Sequence, residues 1–408
     1  MDSGATAWIL TSSALVLLMT PGLALFYGGM VRGKNILAML LKNYIAMGVI
    51  TIVWTLIGGS LAFGHLIGGS SFEISGTTIL GNLDYFGLRG IDGEGTESIV
   101  GGIPNSAFMM FQLMFAIITP ALIVGAVAER MKFGAWTLFI ILWSIVVYVP
   151  LATAVWGGGY IGENLGAMDF AGGLVVHINA GVAALVLAIM IGPRLGYGTS
   201  AIRPHMLPLT LIGAGLLWFG WFGFNAGSAL AADQAAADAF MATQVAAGTA
   251  ATVWLLVEKM VHGHATTLGF ASGAVAGLVA ITPAAGFVDP FGALVIGAVA
   301  GGVCFYALRL KTIFKFDDSL DVVAVHLVGG IIGSVLLGVL AVEPGVAGGS
   351  QLVKQIISVV IAIIWSGAMT AILALLINKF IGLRVTEDEE RQGLDLSLHN
   401  EQGYRLTE

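Results

Sequence analysis

Long apolar runs, each near twenty residues and parted by short polar stretches, set the rhythm of this chain. A helix needs about 20 apolar residues to cross roughly 30 Å of hydrocarbon at about 1.5 Å per residue. That window predicts eleven membrane-spanning helices, near 6–31, 37–64, 103–128, 134–155, 169–192, 207–229, 239–258, 266–286, 289–309, 321–342 and 353–379. The expected fold is therefore an all-α integral membrane protein. The longest connection, 65–102, is rich in Gly, Ser and Asp and reads as an irregular cap without chemistry.

Composition supports this reading. Only 10% of the 408 residues are charged, against roughly 25% in a soluble domain. The charges that remain set an orientation. Arg32, Lys34, Arg130, Lys132, Arg194, Arg203, Lys259, Arg309, Lys311, Lys315, Lys379 and Arg384 lie in or beside every second loop, with only Arg89 and Lys354 near the opposite face. Basic loops stay in the cytoplasm, which places the N-terminus outside and the C-terminus inside. The first span has no basic flank before it and Arg32 after it, the reverse of a secretory signal, and is expected to be retained. The 17 basic residues are scattered, so nothing in the net charge of −7 suggests nucleic acid. The single cysteine, Cys304, excludes a disulfide framework and reads as a small packing residue. The chain contains no HExxH, Walker or GxSxG signature. It is not read as an enzyme, and neither metal nor cofactor is expected.

Ten spans followed by one suggest two halves of five. The fifth span carries VVHINAGVAALV at 175–186 and the tenth AVHLVGGIIGSV at 324–335, both reading Val-His-x-x-small-Gly. Five helices per half make the second enter from the opposite side, an inverted repeat of the kind transporters use, with the pathway at the repeat interface. The halves cover about 1–200 and 201–350, within a transmembrane unit of 1–384. Residues 385–408, led by the acidic EDEE run, form a polar C-terminal tail by composition.

The repeat brings His177 and His326 together as a candidate pair. An ionisable group inside a membrane points to function, although a histidine bonded to a neighbouring helix would look the same. Gly173, His177 and Gly181 share one helical face, as do His326, Gly330 and Ser334, which predicts space beside each ring. Desolvation disfavours the charged form, so both imidazoles are expected neutral at pH 7. Such rings suit a small guest that donates or accepts hydrogen bonds. Zinc would want a third protein ligand, and no Cys, Asp or Glu stands at ligand spacing in these spans. His262 and His264 fall on an inner loop and are expected to face water.

Aromatic residues make a second cluster: Phe111 and Phe115 in FQLMFA, Trp156 in VWGGG, and Trp221, Phe224 and Ser228 in WFGWFGFNAGS. A lone ring at a membrane edge fits the aromatic belt. Gathered near the outer ends of spans three, four and six, with a hydroxyl, they predict a cation–π cage. Asp169 reads as the N-cap of the fifth helix; holding a cation electrostatically from behind is the alternative.

At these residues the chain resembles the ammonium transporter family, also called Amt/Mep/Rh, in its prokaryotic Amt form. The stretch DFAGGLVVHINAG at 169–181 is the most specific, and FQLMFA, VWGGG, WFGFNAGS and DDSLDVVAVH follow the family's pattern along nearly the whole chain. The resemblance implies that Phe111, Trp156 and Ser228 recruit ammonium, that Phe115 and Phe224 gate the pore, and that His177 and His326 line it. It implies that Asp169 is an acid needed for activity without facing the pore. It further implies a homotrimer in the cell membrane, uptake of ammonium and methylammonium, a tail (GLDLSLHNEQGY, 393–404) packed on inner loops, and a possible PII-family partner there.

Potassium is close to ammonium in size, so discrimination must use hydrogen-bond donation and the ability to lose a proton. Carrying a charge through an apolar throat costs several kcal/mol, and deprotonation to ammonia avoids much of that. Three other readings stand beside this one. A neutral-gas channel for carbon dioxide would not need Trp156 and Ser228. An ammonium sensor would usually carry an added signalling domain. An intramembrane enzyme would need a nucleophile–base pair.

Overall fold

The computed structural model describes residues 1–342 and 347–404. Parts of two expected segments, 343–346 in the second half and 405–408 in the tail, lie outside the described residues. Among the described residues, ten helices are long and apolar enough to cross a membrane: α1 (Ser3–Met30), α2 (Gly33–Ile67), α3 (Asn105–Val127), α4 (Phe133–Trp156), α5 (Gly173–Ile191), α6 (Leu207–Gly227), α7 (Gln234–His262), α9 (Pro290–Ile313), α10 (Val323–Leu340) and α11 (Gly349–Phe380). The expected eighth span is α8 (Thr267–Ile281), with only 15 residues. Pro283 follows it in a turn closed by Ala284 N–H to Ile281 O and Phe287 N–H to Ala284 O. That turn takes up residues the apolar pattern had assigned to helix. The result is a multi-pass membrane protein.

Between helices, apolar burial gives little drive inside a bilayer, so close backbone contact must hold them. The tightest pairing joins α1 to α6, and it is built on glycine. A Cβ on Gly213 would collide with the Phe26 backbone, one on Gly220 with Met19, and one on Gly223 would stand 2.6 Å from Leu15 Cβ. The other central pair is α5 with α10, running antiparallel. A Cβ on Gly181 would stand 2.5 Å from Leu327 N, and one on Gly173 would stand 2.8 Å from Ser334 Oγ. These glycines do not leave space beside the histidines, as the shared face suggested. The facing helix fills it, because on an antiparallel partner the small stripe is where the backbones meet. Around these pairs, α3 is almost wholly buried while α11 keeps one side outward.

The 65–102 connection is not wholly irregular. It contains a hairpin of β1 (Ser71–Ile74) and β2 (Thr77–Gly81), paired Ser71 with Gly81 and Ile74 with Thr77. Ser75 and Gly76 between them take φ of 54° and 77°, the left-handed pair of a type I′ turn. This hairpin marks one side of the molecule. The C-terminal tail marks the other.

The tail docks rather than trailing away, in two short helices, α12 (Glu387–Gln392) and α13 (Leu394–His399). Thr386 and Glu389 form a reciprocal capping box. Leu394 N–H donates to Asn35 Oδ1 at 2.8 Å, and Ala38 N–H donates to Asp395 Oδ1 at 2.8 Å. Glu390 accepts from Leu195 N–H at 2.6 Å and pairs with Arg384 at 2.8 Å. Composition alone could not show these bonds, because their partners lie up to 359 positions away in sequence. Beneath the tail, Glu129 pairs with Arg32 at 2.7 Å, and Arg194 grips Asp317 through two bonds of 2.9 Å. Burial works to raise both carboxyls, but the facing guanidiniums hold Glu129 and Asp317 below the usual carboxylate range.

Candidate functional site

Asp169 stands at the entry to α5. Its Oδ1 accepts from Gly172 and Gly173 N–H at 2.9 and 2.6 Å, and its Oδ2 from Leu174 and Val175 N–H at 2.8 and 3.3 Å. One carboxylate thus satisfies four backbone donors that a helix start leaves orphaned. The first turn, Gly173–Ile178, is π-helical, with His177 N–H reaching Gly172 O at 3.0 Å. That widened turn sets the side-chain direction of His177.

The tenth helix repeats the device. Its first turn, Val323–Val328, is also π-helical and carries His326. Asp318 Oδ2 accepts from Val323 N–H at 2.7 Å. Asp318 precedes His326 by eight residues, as Asp169 precedes His177. Asp318 does not stand out in the sequence by itself; the equal spacing to the histidine is the signal that marks it.

The two imidazoles meet. Their Nδ1 atoms stand 3.2 Å apart, with ring centroids 5.3 Å apart and planes 23° from parallel. Two Nδ1 atoms can share a bond only if one carries the proton and the other does not, which fixes complementary tautomers for a neutral pair. Both rings are buried, and His177 Nε2 has no hydrogen-bond partner among the described residues. His177 stacks at 5.5 Å on Trp221 and at 5.9 Å on Phe224. Trp221 is itself tethered, its indole N–H donating to Thr282 Oγ1 at 2.8 Å.

On the hairpin side of this pair lies a cavity of about 260 Å³, walled by Phe111, Gln112, Phe115, Trp156, Phe170 and Ser228 among others. Phe115 and Phe224 close its floor, with ring centroids 4.4 Å apart. Phe111 and Trp156 flank Phe115 edge-on, at 4.9 and 5.9 Å. The Trp156 indole N–H donates to Asp169 O at 2.8 Å, which ties the cavity wall to the α5 cap. Ser228 Oγ donates to Phe224 O at 2.8 Å, so its lone pairs remain free to accept from a guest. Gln112 adds a buried Oε1 without a partner among the described residues. It sits inside FQLMFA, but the aromatic pattern drew attention past it. On the tail side, a pocket of only about 10 Å³ touches His326, lined by Phe26, Tyr27, Asp321 and Val325 among others.

Every residue singled out from sequence is thus placed. Phe111, Trp156 and Ser228 share the cavity, Phe115 and Phe224 lie beneath it, and His177 and His326 follow. Asp169 is a backbone cap and does not line the cavity. His262 and His264 are exposed and far from this line, and Cys304 is fully buried.

The sequence model of the ammonium transporter family matches residues 7–404. The chain belongs to the ammonium transporter family. It is 49% identical to an ammonium transporter of Mycobacterium tuberculosis, over 99% of this chain and 90% of that one. It is 45% identical to one of Bacillus subtilis, over 99% of both. Among solved structures, it resembles Mep2 of Candida albicans with a TM-score of 0.86 and 34% identity, covering 95% of this chain and 88% of that chain. It also resembles a protein described as a sensor Amt protein, with a TM-score of 0.88 and 28% identity over 97% and 98% of the two chains. Ammonium is accordingly the substrate class of this membrane transporter family member.

Proposed function

We propose that this chain conducts ammonium nitrogen across the membrane by recruiting the cation, losing its proton to water in the outer cavity, and passing ammonia along the hydrogen-bonded histidine pair. One observation carries the reading: cavity, aromatic floor, histidine pair and small pocket follow one another from the hairpin side to the tail side. Phe111 and Trp156 offer π faces to a cation, and Ser228 accepts one of its four N–H bonds. Past the hydroxyl of Ser228, the rings of Phe115, Phe224 and Trp221 offer no hydrogen-bond acceptor to replace the N–H bonds a cation would leave behind. A neutral guest of one heavy atom still finds the unpartnered His177 Nε2. Asp169 works from behind the cavity by holding the π-helical turn that aims His177.

In this reading all eleven helices cross the membrane. They form two inverted halves of five (about 1–200 and 201–350) plus α11, with residues 385–408 as a separate cytoplasmic tail. The hairpin side faces outward and the tail side inward, as the basic loops require. The native unit is a homotrimer, methylammonium is a second substrate, and the docked tail borders the surface offered to a PII-family regulator. The role is transport, not catalysis. The cage of Trp156 and Ser228 argues against a channel for uncharged gases.

The test is current and tracer flux from purified protein in liposomes under an ammonium gradient. His177→Ala and His326→Ala should each fold yet lose flux or admit potassium. Wild-type flux with potassium still excluded in both variants would make the histidines structural. A second reading, sensing with little conduction, draws on the likeness to the sensor Amt protein. Parent protein that binds ammonium in the same liposomes without passing it would favour sensing.

A further inference from the structure

The described stretch 165–172, between α4 and α5, is neither helix nor strand. Its Phe170 lines the cavity, so this backbone runs beside the candidate site. Irregular backbone at membrane depth persists only where the protein itself satisfies its N–H and C=O groups. Here the partners come from several elements. Ala167 N–H donates to Ile161 O at 3.0 Å and Phe170 N–H to Pro283 O at 3.0 Å. Asp169 O accepts from the Trp156 indole at 2.8 Å. Three further groups, Gly166 O and both backbone groups of Met168, are met by two glutamines in the first two turns of α11.

Gln355 grips Met168 from both sides of its amide. Its Oε1 accepts from Met168 N–H at 2.8 Å, and its Nε2 donates to Met168 O at 2.8 Å and to Ser334 O of α10 at 3.1 Å. Gln351 Nε2 donates to Gln355 Oε1 at 3.2 Å and to Gly166 O at 3.2 Å. Gln355 thus fills both donors and both acceptor sites, all that a side-chain amide can offer, and it is fully buried. Packing of α11 on α10 would be served by the bond to Ser334 alone; the paired bonds to Met168 add nothing to it. They fix the residue next to Asp169 instead. Asp169 in turn caps α5 with its carboxylate and holds the Trp156 indole with its carbonyl. We infer that Gln355, braced by Gln351, is a positioning residue for ammonium recruitment, a role that rests on the Trp156 cage proposed above. It touches no guest and acts only through Asp169 and Trp156.

Two measurements on the purified full chain test this: hydrogen exchange by mass spectrometry, and ammonium flux in liposomes against concentration. Gln355→Met keeps the length of the side chain and drops all four bonds. Exchange in peptides covering 165–176 should quicken about tenfold, the opening expected when a buried bond is lost, while the α1–α6 pair and the tail keep parental exchange. Half-saturating ammonium should rise about three- to tenfold, part of the cation–π contact. Gln355→Glu keeps the acceptor for Met168 N–H but loses at least one donor in either protonation state. It should show smaller shifts of both kinds, and it carries the test if the Met variant does not fold. In a Trp156→Leu background, Gln355→Met should move half-saturation no further, because the wall it holds is already gone. A merely structural glutamine would lower the yield of folded protein and leave half-saturation alone. Parental exchange over 165–176, parental half-saturation, or additive shifts in the double variant would each overturn the role. Parental half-saturation in Trp156→Leu itself would fail the cage instead, and exchange would still decide whether Gln355 holds the entry to α5.

Discussion

Asp169→Asn is a change of one atom's chemistry with a large expected effect. The amide keeps one acceptor oxygen, enough for the Gly172 and Gly173 N–H groups. In place of the other oxygen it presents an NH₂ group to the N–H groups of Leu174 and Val175, now 2.8 and 3.3 Å from that oxygen. Two buried donors lose their acceptor, at about 1–3 kcal/mol each, or about 2–6 kcal/mol together. Loss of the negative charge at the helix start adds about 0.3–1 kcal/mol. The π-helical turn should then relax and carry His177 away from its 3.2 Å contact with His326. Asn should therefore lower the melting temperature of the purified protein and reduce flux in liposomes. Asp169→Glu keeps the charge and should recover part of both. An Asn variant with parental melting and parental flux would refute the claim that this carboxylate holds the turn.

Trp156→Leu should raise the half-saturating ammonium concentration about 5- to 30-fold, the loss of a cation–π contact of about 1–2 kcal/mol. An unchanged saturation curve in concentration-dependent flux would count against the cage. Deleting 385–408 should leave the protein in the membrane but reduce flux or PII-family binding; parental values of both would make the tail a passive appendage. The carboxyls of Glu129 and Asp317 are depressed in the folded state, so their stabilisation is complete above the ordinary carboxylate value near 4 and is lost as pH falls through the depressed values. Melting of the parent followed from pH 7 to pH 3 should show that decline, and Asp317→Asn should flatten it.

Much of this was legible from periodicity alone, because a bilayer demands helices and helices demand length. Ten of the eleven expected spans are helices long and apolar enough to cross a membrane, and α8 is short because a proline turn consumes its end. The hairpin was signalled by the Ser-Gly pair at 75–76 but lost among other glycines. The histidine pair was legible because two local motifs sat at matching places in two halves. Gln112 and Asp318 were missed for different reasons: one polar residue hid among aromatics, and one cap lay in an acidic cluster that looked like a loop. What no local pattern could supply was contact between distant segments. The glycine stripes were read as room for a ring, when they are the seams where α1 meets α6 and α5 meets α10. The charges of Arg194 and Glu390 looked like solvated surface until the tail and the 317–319 segment closed over them.

Those seams bear on speed. Where Gly213 faces the Phe26 backbone and Gly181 faces Leu327, the paired helices have no layer of long side chains along which to slide. Shear between helices needs such a layer, and packed interfaces shift between discrete arrangements instead of deforming smoothly. A transporter that rocks one half against the other is paced by collective motion on the microsecond to millisecond scale. On the proposed route, with these helices seamed together, the moving parts are the rings of Phe115 and Phe224 and the one proton shared by the two imidazoles. On that route the turnover ceiling is set by how often two phenyl groups part.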